Sequence, residues 1–237
     1  MSTVRLYYPE NIIENSTSLL SKEHTHYIVN VMRLKRGSKI NFFNKKGEWL
    51  SEIVFLDRDR VEIKFLNKIK ESFPASNIEL AICLVKKNPM EIILQKATEL
   101  GVSRIIPIIS ERTEVKDLNL ERANKITIEA TEQSNQLNPP KISQMIDLKD
   151  FINSISKETK LFFADINSKH IPSLKDIEGI KNISILIGPE GDFSPSEREL
   201  ILKKSNVIPF SLSKNILRTD TAVISAISLV NFINNNH

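Results

Sequence analysis

The chain holds one cysteine in 237 residues, so it cannot close an internal disulfide. That residue, Cys83, lies in the strand-like run Ile78 to Val85 and reads as core filler rather than as a nucleophile. Histidine is also scarce. None of the four is paired with cysteine at ligand spacing, which argues against a structural zinc site and leaves no metal to expect. No apolar stretch approaches the length of a membrane span. Met1-Ser2-Thr3-Val4-Arg5 lacks the apolar core of a signal peptide, and these absences together point to a cytosolic protein outside any membrane. Internal repeats and low-complexity tracts are missing as well. No Walker loop, dinucleotide fingerprint or nucleophile elbow occurs, which removes those nucleotide-binding and hydrolase classes.

What is present is 41% hydrophobic residues, enough for one large domain or two modest ones. The net charge of +4 is mildly basic, which permits a nucleic-acid partner without demanding one. The first seventy residues read as a small β-rich unit. Its strands are Ile40–Phe43, Trp49–Leu56 and Val61–Leu66, the last alternating Val61, Ile63 and Phe65 with Glu62 and Lys64. A helix is predicted over Ser21–Met32, followed by the basic turn Arg33-Leu34-Lys35-Arg36-Gly37, and Asn67–Asn77 reads as a linker. From Ile78 strands and helices alternate. Strands are predicted over 78–85, 105–109, 160–164, 183–187 and 207–212, and helices over 90–100, 120–136, 195–204 and 221–233. Pro107 interrupts its strand, which suggests an edge or an early start. This grammar implies a mostly parallel sheet covered on both faces, and so an α/β fold in two domains, 1–70 and 71–237.

Two joints in that second domain invite a ligand. The apolar run Ile183–Ile187 stops on Gly188-Pro189-Glu190-Gly191, and a helix starts at Ser194-Pro195 with a Ser-x-x-Glu capping box completed by Glu197. A buried strand feeding a glycine-bearing turn at a helix start is where α/β proteins place ligands, although an ordinary loop fits the turn equally well. The second joint is Leu212-Ser213-Lys214-Asn215-Ile216-Leu217-Arg218-Thr219-Asp220-Thr221-Ala222. There Arg218 stands just before a helix start, where its charge opposes the helix dipole. Either an anionic or polarised partner or a salt bridge to Glu190 or Asp220 would account for it. Two further stretches are polar: Gln95–Val102 with Ser110-Glu111-Arg112, where Glu99 and Arg112 read as an ion pair, and Glu129–Ser134 at the end of the long helix.

Taken together, Ile187–Gly191, Ile216–Ala222, Lys96–Val102, Ser110–Arg112 and Glu132-Gln133-Ser134 resemble the small-subunit (16S) ribosomal RNA uridine-N3 methyltransferases. Those belong to the SPOUT class of knotted enzymes that use S-adenosyl-L-methionine. Arg5–Glu10 and His26 through Leu34 are similar to that family's PUA-like RNA-binding barrel, so the likeness spans nearly the whole chain. The resemblance implies a trefoil knot in the α/β domain, a homodimer with shared active sites, and methylation of N3 of a uridine. It implies that Ile187, Gly188, Pro189, Glu190 and Gly191 hold the cofactor together with Leu212, Ser213, Ile216, Leu217, Thr221 and Ala222. Arg218 is implied as the catalytic cation, with Glu190 as proton acceptor or positioning group. RNA contacts are implied at Arg5, His26, Arg33, Arg36, Gln133 and Ser134, and Lys35 would add a phosphate contact.

The chain also departs from the family pattern. Asp192 and Ser213 stand where glycine is usual, Asn215 and Gln136 where arginine is, and Pro89 where a basic residue is. Positive charge is thereby lost around the implied RNA site, with Lys214 and Lys141 as the nearby cations that could compensate. Two other readings fit the same residues: a SPOUT enzyme acting on another RNA, and a non-catalytic RNA-binding factor in ribosome assembly.

Overall fold

A computed structural model describes residues 4–74 and 76–235, so Met1–Thr3 of the leader reading and Ala75 of the linker reading lie outside the described residues. The chain divides into two compact units, Met1–Pro74 with Thr131–Asn138, and Ala75–Ala130 with Pro139–His237. The first thus takes up a short later segment that the sequence reading assigned wholly to the second domain.

In the first unit, β1 (Arg5–Tyr7), β2 (Thr17–Leu19), β3 (Lys39–Asn44), β4 (Gly47–Leu56) and β5 (Val61–Glu71) form one sheet in the order β1-β3-β4-β5-β2. Ile40, Phe42, Ile53, Ile63 and Phe65 form its core with Tyr8 and Trp49. β5 runs five residues beyond the expected end. Its polar half, which offers no apolar face to read, is held by pairing of Lys68 with Trp49 and Lys70 with Glu48 on β4. The helix expected over 21–32 is α-helical only in α1 (Lys22–His26), where Ser21 accepts the His24 N–H. Tyr27–Val31 then widens to a π-helical turn, in which the Met32 N–H reaches back to the Tyr27 carbonyl.

The second unit is an α/β layer structure. β6 (Ile78–Cys83), β7 (Arg104–Ile109), β8 (Lys141–Ile142), β10 (Thr159–Ala164), β11 (Asn182–Ile187) and β12 (Val207–Phe210) are ordered β12-β10-β11-β6-β7-β8, with β9 (Ile146–Asp147) also beside β7. Every pair is parallel. Alternation sends Leu80, Ile82 and Ile185 to one face, under α2 (Lys87–Glu99) and α6 (Thr219–Asn235). It sends Ala81, Leu161, Phe163 and Leu186 to the other, under α4 (Leu148–Ser154) and α5 (Pro195–Leu202). Cys83 is buried in this second layer, and burial pushes its thiol up to about 12, far from nucleophilic. Gly101, at φ +81°, closes α2: its N–H bonds the Thr98 carbonyl and the Val102 N–H that of Ala97.

Pro107 does not mark an edge. β7 lies between β6 and β8, and the Ile105 carbonyl, on the β8 side, accepts the Ser143 N–H. Alternation puts Pro107 on that same side, in the gap after β8 ends at Ile142 and before β9 begins at Ile146, where no N–H is needed. α3 (Leu120–Gln133) ends three residues short of expectation, at a turn carrying Asn135 in the left-handed region. Among the described residues no helix is long and apolar enough to cross a membrane.

Candidate functional site

The site is assembled where β10, β11 and β12 end. β11 is buried from Ile183 to Ile187 and then meets Gly188, where a Cβ would stand 3.0 Å from Cε2 of Phe193. The Phe193 ring is held edge-on against Phe163, so a side chain here would crowd that ring and glycine suits the protein's own packing. At Gly191 an added Cβ would find only ordinary contact with Arg112. The Asp192 N–H bonds the Pro189 carbonyl and closes the turn. Asp192 itself sits at φ +57°, which an aspartate tolerates better than most residues, and its carboxylate accepts the Phe193 N–H at 2.8 Å. The predicted capping box follows, with Ser194 Oγ accepting the Glu197 N–H and Glu197 Oε2 accepting the Ser194 N–H.

Two bonds brace this turn from the loop after β7. Arg112 Nη1 donates to the Gly191 carbonyl at 2.9 Å, and the Glu111 N–H donates to Glu197 Oε1 at 2.8 Å. The predicted Glu99–Arg112 pair does not form, because Glu99 is held by Lys96 one helical turn earlier.

A cleft of about 700 Å³ opens over these strand ends. Of the eleven residues expected around a cofactor, Ile187 through Gly191, Leu212, Ser213, Ile216, Leu217 and Ala222 line it, as does Arg218. Thr221 does not: it is exposed, with its N–H turned to the carboxylate of Asp220, and Thr219 and Asp220 line the wall instead. Ser213 needs no glycine-like backbone, and its hydroxyl accepts the Asn215 N–H to shape the loop. Ile216 is 90% exposed at the mouth. Pro89, in the first turn of α2, also borders the cleft, whereas Lys214 and Lys141 do not.

Arg218 makes no side-chain hydrogen bond or ion pair among the described residues, so neither Glu190 nor Asp220 neutralises it. It stands exposed beside the start of α6 with Glu190 on the same cleft. Sequence reasoning missed Asp165, which follows β10. Its carboxylate is only 2% exposed and receives Arg198 at 2.7 Å and the Asn167 N–H at 3.0 Å. Burial alone would raise its pKa, but these bonds outweigh it and hold the group below the usual carboxylate range. Its signal was available: it stands at the carboxyl end of a parallel strand, the side on which ligands collect.

In the first unit Arg5 is not a free cation. Its guanidinium pairs with Glu48, donates to the carbonyls of Glu132 and Gln136, and lies 4.3 Å from the Phe43 ring centroid. It caps the end of α3 and is spent there rather than on phosphate. Glu132 in turn accepts the Tyr7 N–H. His26, Arg33 and Arg36 are exposed, as is Gln133, while Ser134 is half-buried.

Residues 71–231 match the RNA methyltransferase domain family, and residues 20–66 match the RNA methyltransferase PUA domain. The chain is 33% identical over 234 residues to ribosomal RNA small subunit methyltransferase E of Rickettsia conorii, covering 97% of this chain and 95% of that one. It is 34% identical over 233 residues to the protein of the same name from Buchnera aphidicola subsp. Schizaphis graminum, covering 94% of each. Its fold is similar to the crystal structure of a ribosomal RNA small subunit methyltransferase E from Neisseria gonorrhoeae bound to S-adenosyl methionine, with a TM-score of 0.89, 30% identity and 98% of both chains covered. With both units matched and similarity running almost end to end, the chain belongs to the ribosomal RNA small subunit methyltransferase E family.

Proposed function

We propose that this protein methylates N3 of a uridine in small-subunit (16S) ribosomal RNA with S-adenosyl-L-methionine as donor. The observation that carries the reading is the unpaired Arg218 on a cleft at the carboxyl ends of three parallel strands. The donor set suits this cofactor. Ile187, Leu212 and Leu217 offer apolar wall for an adenine, and the carboxylates of Glu190, Asp192 and Asp220 outnumber Arg218 around a cleft meant for a cation, the Asp165 charge being matched by Arg198. When bound, the cofactor supplies a methyl group already activated on its sulfonium, so the protein's task is alignment.

A uridine imide must lose its N3 proton, and negative charge then gathers on the neighbouring carbonyl oxygens. Arg218, free of any partner, is the group to stabilise that charge, while Glu190 on the same wall takes the proton or orients the base. Residues 71–237 would form the methyltransferase domain, knotted where the 187–191 and 211–218 loops meet. Residues 1–70 would bind RNA through His26, Arg33 and Arg36, with Gln133 and Ser134 added from the segment 131–138. The working form would be a cytoplasmic homodimer. The test is transfer of labelled methyl to small ribosomal subunits from cells lacking this protein. Incorporation at one uridine, on N3, is expected, and incorporation on another atom or another RNA would overturn the assignment.

A further inference from the structure

The turn after β11 has open space on both of its faces. Pro189, Glu190 and Gly191 line the large cleft on one side and a smaller cleft of about 210 Å³ on the other. Glu190 and Gly191 are exposed, so packing does little to fix their backbone and hydrogen bonds must do so.

One peptide unit carries those bonds. Between Gly191 and Asp192, the N–H donates to the Pro189 carbonyl at 3.0 Å and the carbonyl accepts Arg112 Nη1 at 2.9 Å. The first bond is internal to the turn. The second crosses the small cleft to a loop 79 positions earlier in the chain. The N–H groups of Glu190 and Gly191 make no hydrogen bond among the described residues, which leaves them open to a ligand.

Arg112 itself rises from a fixed base. Ser110 and Thr113 are both buried, and they close the loop: the Thr113 N–H donates to the Ser110 carbonyl, and Thr113 Oγ1 accepts the Ser110 N–H at 3.0 Å. The Glu111 N–H is tied to Glu197 at the start of α5. From there the arginine stem lies along Gly191, with Cβ and Cδ each 3.8 Å from where a Gly191 Cβ would stand. Its guanidinium makes no other hydrogen bond or ion pair among the described residues, and Arg112 does not line the large cleft.

We propose that Arg112 is a positioning residue for the cofactor, holding the 189–191 turn in its binding conformation from the side the cofactor never touches. The proposal rests on the methyltransferase reading of the large cleft. A turn released from Arg112 spends part of its time in conformations that do not bind, and the apparent Kd rises by the inverse of the competent fraction. Bound cofactor restores the conformation, so turnover at saturation is preserved.

The test uses the full-length protein and two variants. Arg112→Met keeps a stem against Gly191 and removes the donor. Arg112→Lys keeps one charged donor, and one is all that the Gly191 carbonyl receives. For Arg112→Met the Kd for S-adenosylmethionine is expected to rise about tenfold, as for loss of a charge-assisted hydrogen bond. Its kcat at saturating cofactor and its KM for small subunits should stay within about twofold of the parent. Hydrogen exchange at the Asp192 amide should be about tenfold faster without cofactor and match the parent when cofactor saturates. Arg112→Lys should recover most of the affinity. A methionine variant that binds the cofactor as the parent does would overturn the proposal, whether or not its KM for small subunits changes. So would a fall in kcat at saturating cofactor, or weakened binding with the Asp192 amide unchanged. A parent protein that neither binds the cofactor nor transfers methyl would instead overturn the function on which the proposal rests.

Discussion

Glu197 accepts the backbone N–H of Glu111 across 86 positions of sequence, at 2.8 Å, while its other oxygen holds the N–H of Ser194. One buried carboxylate therefore starts α5 and fastens the loop after β7 to the turn that walls the cleft. Glu197→Ala leaves the buried Ser194 N–H and the part-buried Glu111 N–H without their acceptor and removes half of a capping box. A loss of about 2–4 kcal/mol in urea-unfolding stability is expected. Glu197→Gln keeps one carbonyl acceptor and should lose about half as much. If the alanine variant matches the parent within 0.5 kcal/mol or so, water has replaced the bond.

Gly188 lies in tight packing. An added methyl would meet the Phe193 ring at 3.0 and 3.2 Å, and that ring is pinned by Phe163. Gly188→Ala should cost about 1–3 kcal/mol, as overpacking does. Combined with Phe193→Leu, which removes the clashing atoms, it should cost less than the sum of the single changes. Strict additivity in that double-mutant cycle would show that the ring is not the obstacle.

Both of these devices were partly legible in the sequence. The Ser194 to Glu197 spacing announced the capping box, and the apolar run to Ile187 announced the strand that feeds Gly188, because each follows from local chemistry. The partners were not legible. Glu111 and Phe163 reach the turn through sheet order, and Asp165 joins the cleft only because β10 lies between β11 and β12. The polar half of β5 was hidden for a related reason, since its pairing with β4 is tertiary while its composition is that of a linker. Thr221 was misplaced because three successive N-cap residues leave the start of α6 ambiguous by a turn.

Arg5 separates a structural cation from a binding one. Its loss leaves Glu48, 5% exposed at the side chain, with the neutral Asn41 amide but no countercharge, and leaves the carbonyls of Glu132 and Gln136 without this donor. Arg5→Ala should cost about 3–5 kcal/mol, the range for breaking a buried pair from one side. Arg5→Lys should recover part of this, since a lysine cannot span carboxylate and carbonyls together. Arg33→Ala, at an exposed site, should stay within about 0.5 kcal/mol of the parent. Equal unfolding midpoints for Arg5→Ala and Arg33→Ala would refute this distinction.

Stability should decline with acid in two windows. His24 is held below its ordinary value by burial, against the opposing pull of Glu23 and the Tyr7 backbone. The unfolded chain therefore binds the proton more readily. His24's contribution is full above pH of about 6.5 and falls as pH drops below it. Asp165, held low by Arg198 and Asn167 despite burial, contributes fully above about pH 4, and this is lost as pH falls through its folded value. Urea midpoints followed from pH 8 to 3 should show both declines. His24→Gln should flatten the first and Asp165→Asn the second, and an unchanged profile in either variant would reassign that window.

Arg218 is the converse of Arg5: exposed, unpaired, and on the cleft. A cation that bonds nothing in the folded chain contributes little to holding it together, so Arg218→Ala should unfold within about 0.5 kcal/mol of the parent. If it meets charge that exists only as the uridine loses its proton, its removal acts on the transition state. Then kcat should fall about 100- to 1000-fold while the Kd for S-adenosylmethionine stays close to the parent's. Arg218→Lys restores the charge without the planar fork and should recover part of the rate. A variant whose kcat is intact but whose KM for RNA rises would move Arg218 from stabilising the transition state to binding the substrate.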